Sequence, residues 1–171
     1  MPRYVAFLRG VSPLNAKMPD LKRSFEAAGF TEVRTLLSSG NVVFNSRAST
    51  EALLAKKAEK AMNAELGRSF GTIVRKVSHL QALLDAEPFS RYRLPPQAKR
   101  VITFLRTAPA GKIELPAERD GARILEIAGT EVLCTYVPGP KGPVFMPVLE
   151  RTFGKDITTR TVDTVRKCAE A

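Results

Sequence analysis

A few polar residues beside glycine-marked breaks have the types and spacing for anion chemistry. Arg9 and Gly10 close one short apolar run, and Ser39, Gly40 and Asn41 separate two others. An arginine grips phosphate or carboxylate through two parallel hydrogen bonds. Glycine lets backbone N–H groups come close, and serine and asparagine add neutral donors. Lys17, at the far end of the loop that leaves Gly10, and Arg160, just ahead of the last helical stretch, are further cations for such a site. Each piece also has a plainer use. Ser-Gly-Asn is ordinary hairpin-turn chemistry, since Gly and Asn tolerate positive φ. Arg9 can pair with a nearby carboxylate. Thr161 suits a helix cap with Asp163 in the first turn behind it.

Other chemistries find little material. The one histidine, His79, falls at a first-turn helical position with no nucleophile marked beside it. Cys134 sits inside the apolar run Val132-Leu133-Cys134, where an inert buried thiol is the rule, and Cys168 lies near the end of the last helix. Three Cys/His residues spread over ninety positions do not make a zinc site. The glycines of 139–142 alternate with proline, which lacks the N–H donors of a phosphate loop. No catalytic group, metal site or cofactor is expected.

The elements that must position the polar set follow from hydrophobic pattern and punctuation. Residues 3–9 read as a strand buried on both faces, because five apolar residues run without alternation. A helix starts near Pro19 and stops at Gly29. Residues 32–38 and 41–45 read as strands joined at Ser39-Gly40. Ser49 or Thr50 caps a second helix that runs to about Gly67, with Lys56, Lys57 and Lys60 on its solvent side. Residues 72–77 form a fourth strand. The order β-α-β-β-α-β is the signature of a ferredoxin-like unit. Its strand order, 4-1-3-2, brings the ends of the first two strands and the starts of the third and fourth to one edge, so Arg9-Gly10 and Ser39-Gly40-Asn41 become neighbours.

Beyond residue 77 the pattern continues as a smaller α+β unit. Ser78-His79-Leu80-Gln81 reads as a capping box opening a helix that ends before Pro88. Residues 99–106 are a strand, and a polar linker with Pro109, Gly111 and Pro116 follows. Residues 123–128 and 131–137 form a hairpin turning at Gly129-Thr130. Residues 138–143, rich in proline and glycine, are excluded from regular structure. Residues 147–153 and 162–169 are helical. The expected organisation is a ferredoxin-like α+β unit over 1–77 and a second α+β unit over 78–171 sharing its core.

Composition narrows the class. The chain has 171 residues, 44% hydrophobic and 26% charged, which suits one globular domain or two small ones. No run is long enough to cross a bilayer, and the first residues lack a signal-peptide layout, so a cytoplasmic protein without a membrane partner is expected. Oligomeric state is not encoded in any pattern here. Charge is the outlier: 27 Lys+Arg against 17 Asp+Glu, net +10. The excess is spread over both halves rather than gathered in runs. A basic surface favours polyanions, so non-specific nucleic-acid association is the alternative to a small anionic ligand. A base-stacking sheet of the RRM type is disfavoured. Tyr4 and Phe7 are three apart and face opposite sides, and 42–44 lack the aromatic pattern.

Four stretches together resemble the DUF1697 family of bacterial proteins. They are residues 4–10 (Tyr-Val-Ala-Phe-Leu-Arg-Gly), residues 17–21 (Lys-Met-Pro-Asp-Leu), residues 29–35 running into 39–44, and Thr158-Thr159-Arg160 followed by 164–167. The resemblance implies a cytoplasmic protein with a ferredoxin-like N-terminal part and a second α+β part, and it implies no activity. The chain departs from the family at Val11-Ser12-Pro13-Leu14, at Thr161-Val162 and at 142–145.

Overall fold

The computed structural model of the chain describes residues 1–109, 111, 114, 117–119, 121–139 and 145–171, and for 117, 119 and 145 the backbone alone. The elements are β1 (Arg3–Leu8), α1 (Met18–Ala27), β2 (Thr31–Leu36), β3 (Asn41–Asn45), α2 (Glu51–Leu66), β4 (Thr72–Lys76), α3 (Val77–Asp85), a 3-10 turn at Pro88–Arg91, β5 (Lys99–Leu105), β6 (Ala117–Arg119), β7 (Ala122–Ala128), β8 (Glu131–Tyr136), α4 (Phe145–Phe153), β9 (Ile157–Thr161) and α5 (Val162–Glu170). The chain is α+β and divides into two compact units. Met1–Asp85 with Val165–Ala171 make the first, and Ala86–Thr164 make the second.

In the first unit the strands run in the order β2-β3-β1-β4, every neighbouring pair antiparallel. Alternate residues of the sheet (Tyr4, Ala6, Leu8, Val42, Phe44, Val74) join Leu21 and Phe25 of α1 and Leu54, Ala58 and Met62 of α2 in one core. Aromatic rings organise its centre: Phe44 stacks on Phe30 at 4.2 Å and on Tyr4 at 5.8 Å. The intervening residues Val5, Phe7 and Val43 are also 0% exposed. Both faces of the sheet are therefore closed at β1 and β3, which accounts for the unbroken apolar run of β1.

The helix ends follow their local chemistry. Thr50 accepts the Leu53 N–H at 3.2 Å as the N-cap of α2. Gly67 closes that helix in the left-handed region. Ser78 is not a cap, however. β4 runs directly into α3, which begins at Val77, because Val77 and Leu80 are both buried and draw the helix start back. The Gln81 amide donates to the Ala169 carbonyl at 3.2 Å. Arg3 fastens the margin of the sheet, donating to the carbonyls of Ala171 and Glu32 and to Asn45 Oδ1.

The second unit holds an antiparallel sheet in the order β6-β7-β8-β5-β9. Its core gathers Val101, Leu105, Ile124, Val132, Cys134, Leu149 and Ile157. The hairpin turns at Gly129-Thr130 as its sequence requires, with Gly129 at φ 64°. Two strands are absent from the sequence reading. β6 falls inside the polar linker. β9 carries the Thr161 cap and the Arg160 cation of the sequence reading but not the strand itself; four of its five residues are Thr or Arg, so apolar alternation is missing. Its register comes from β5, and the Thr103 and Thr159 hydroxyls meet at 2.7 Å. Thr161 does cap α5, accepting the Thr164 N–H at 3.2 Å. Residues 140–143 of the Pro/Gly run, and Pro116 of the linker, lie outside the described residues. Among the described residues no helix is long and apolar enough to cross a membrane, and no cluster of metal-ligating side chains occurs.

Candidate functional site

Two backbone hydrogen bonds build the edge that the strand order demands. β1 ends at Leu8, whose N–H donates to the Gly40 carbonyl at 2.8 Å. The next N–H, that of Arg9, donates to the Gly71 carbonyl at 2.8 Å. The end of β1, the β2–β3 hairpin and the residue before β4 are thereby held together. Arg9 is half-buried. Gly10 then turns the chain outward at φ 81°.

The loop from Gly10 to Lys17 is tied by its own side chains. Asn15 Nδ2 donates to the Gly10 carbonyl at 2.7 Å, and Asn15 Oδ1 accepts the Ser12 N–H at 2.9 Å. Lys17 is the N-cap of α1. Its backbone is extended, its side chain makes no cap hydrogen bond, and Pro19 occupies the first helical turn. The Lys17 side chain is exposed. The loop thus delivers one cation and an uncapped helix start.

The hairpin turn spans Leu37–Gly40. Asn41 Nδ2 donates to the Leu36 carbonyl at 3.0 Å and to Ser39 Oγ at 3.1 Å, fastening the turn from inside. Asn41 is 0% exposed, whereas Ser39 is exposed. The carboxamide therefore sets the Ser39 hydroxyl in place rather than facing solvent itself. Gly40 is buried at φ +83°. A Cβ there would lie 2.9 Å from that of Val11 and 3.0 Å from that of Leu8. Only glycine permits both the conformation and the approach.

The structure therefore brings Arg9, Gly10, Ser39, Gly40 and Asn41 to one edge, with Lys17 at the end of the loop that leaves it. Arg160 belongs to the second unit. It sits in β9 opposite Ile102, and its guanidinium donates to Thr158 Oγ1 at 2.7 Å and the Thr159 carbonyl at 2.9 Å. Two contributors escape the sequence reading. Gly71 takes part through its carbonyl, which no residue type announces. Asn15 looks like a simple loop-former, although an asparagine three residues after a serine is the spacing of the turn it closes.

Two titratable groups away from this edge are displaced from their ordinary values. Burial pushes the Cys134 thiol up to about 12, so it stays protonated at neutral pH. Burial, and then the hydrogen bond donated to Glu126, raise the Tyr92 phenol above its ordinary 10.0. His79 is exposed.

Comparison with known proteins agrees with this geometry at the level of fold. The solved structure of the conserved bacterial protein SP0830 from Streptococcus pneumoniae is similar over 99% of this chain and 97% of that one, with a TM-score of 0.67 and 18% identity. No curated protein matches the chain. A family model described as a protein of unknown function, DUF1697, matches residues 1–132. With that match over most of its length, the chain belongs to the DUF1697 family.

Proposed function

We propose that this protein is a binding module for a small anionic or phosphate-bearing ligand, held at the edge of a ferredoxin-like unit where β1 and β2 end. The pair of backbone hydrogen bonds donated by Leu8 to the Gly40 carbonyl and by Arg9 to the Gly71 carbonyl carries the reading. It gathers a guanidinium, an exposed hydroxyl and a glycine-turned backbone from segments thirty residues apart. Arg9 takes two oxygens of a phosphoryl or carboxylate group. Ser39 donates to a third, held for that purpose by the buried Asn41. Gly10 leaves the backbone open to close approach, and Lys17 with the start of α1 adds positive potential. The first unit supplies all of these groups.

The closed sheet supports this reading over base stacking, since Val5, Phe7 and Val43 offer no surface to a base. Thermal-shift measurement against a panel of nucleotides and sugar phosphates tests the proposal. A ligand that raises the melting temperature of the wild type is expected to lose most of that effect in Arg9→Ala. An equal response of both proteins to every ligand refutes the site.

A further inference from the structure

The outward side of α2 carries a second feature that this edge does not use. At 3.6 residues per turn, Leu53, Lys56, Lys57, Lys60 and Ala64 fall within one stripe, and all five are exposed. The stripe lies opposite the side that buries Leu54, Ala55, Ala58 and Met62. The helix carboxylates are off it. Glu51 accepts the Lys76 N–H at 2.8 Å. Glu65 lines a groove with Asp20, Arg23 and Leu66. Glu59 stands about 60° beyond the stripe's margin.

Lys57 rests against an aromatic ring, its Nζ 5.4 Å from the Phe30 centroid. Lys56 and Lys60 have no ion pair among the described residues. Like charges four apart on a helix repel and weaken it. The stripe is thus poor local design and good complementarity to an anionic surface.

We propose that this face of α2 docks the phosphate backbone of a nucleic acid. The net charge of +10 draws the polyanion in. Lys56 and Lys60, about 6 Å apart along the helix axis, then replace condensed counterions on the strand. A lipid surface fits less well. Stable membrane anchoring needs two signals, and Leu53 is the sole large apolar side chain on the stripe. The inference is independent of the edge around Arg9.

The test is fluorescence anisotropy with a labelled duplex DNA over a series of salt concentrations, using the full chain. The proteins are wild type, Lys56→Gln/Lys60→Gln and, as an equal-charge control, Lys99→Gln/Arg100→Gln. The last pair is exposed at the start of β5. Two lost phosphate contacts reduce the slope of log affinity against log salt by about 1.8. A fourfold rise in salt then weakens the wild type about twelvefold more than the α2 variant, while the control keeps the wild-type slope. Thermal melting of all three confirms folding. Negligible wild-type binding at low salt overturns the proposal. So do equal slopes for the two variants, and so does tighter binding to anionic phosphatidylglycerol vesicles than to the duplex at the same salt.

Discussion

Gly40 is the residue on which the edge geometry turns. A methyl group there meets Val11 and Leu8 at 2.9–3.0 Å in a backbone conformation that side chains resist. Gly40→Ala is expected to destabilise the fold by roughly 2 kcal/mol or more, read from the denaturant midpoint. Gly67→Ala, left-handed as well but with open space around it, is the contrast and should cost only about 1 kcal/mol. Equal costs at the two positions would mean that the close approach of the loops contributes nothing. Cys134 makes a prediction in pH. Its folded value of about 12 lies above the ordinary 9.0, so the folded state keeps a proton that the unfolded state releases. That stabilisation is complete below about pH 9 and lost as pH rises toward 12. Cys134→Ala removes it, and the stability gap between variant and wild type should narrow over that range. A gap that widens would contradict the buried thiol.

The β2–β3 hairpin is the element that presents Ser39, and it carries strain at its first turn residue. Leu37 adopts φ 58° and is 49% exposed. Asparagine tolerates that region far better than leucine. Leu37→Asn is expected to stabilise the protein by about 1 kcal/mol in chemical denaturation, and a loss of stability would show that the leucine is held there by packing. The same hairpin shows what the sequence makes legible. Asn41–Asn45 stands out because apolar β-branched residues follow a Ser-Gly-Asn signal, and the paired strands then force Arg9 and Gly40 together. Strand β9 is illegible for the opposite reason. Thr158-Thr159-Arg160-Thr161 has no apolar alternation, and only the partner β5 makes it a strand. The start of α3 is likewise a tertiary outcome, since burial of Val77 and Leu80 overrides the local cap at Ser78. Within the candidate site, side-chain types announced Arg9, Ser39 and Asn41. The Gly71 carbonyl, and the division of labour between an exposed Ser39 and a buried Asn41, depend on packing and have no one-dimensional trace.

For the molecule as a whole, composition and architecture pull in the same direction. The surplus of basic side chains biases the protein toward anions. The two proposals place anions at separate parts of the first unit, the edge around Arg9 and the outer stripe of α2. As proposed, the first would take a discrete group gripped by a few donors, and the second a repeating backbone met by exposed lysines. The closed sheet removes the third place where a fold of this strand order meets nucleic acid. The most direct test of the central claim is a crystal structure of the wild-type protein grown with the phosphate compound that gives the largest thermal shift. The expected map places its phosphoryl oxygens within hydrogen-bond reach of the Arg9 guanidinium and the Ser39 hydroxyl. A phosphoryl group bound elsewhere, with that edge holding water alone, would contradict it.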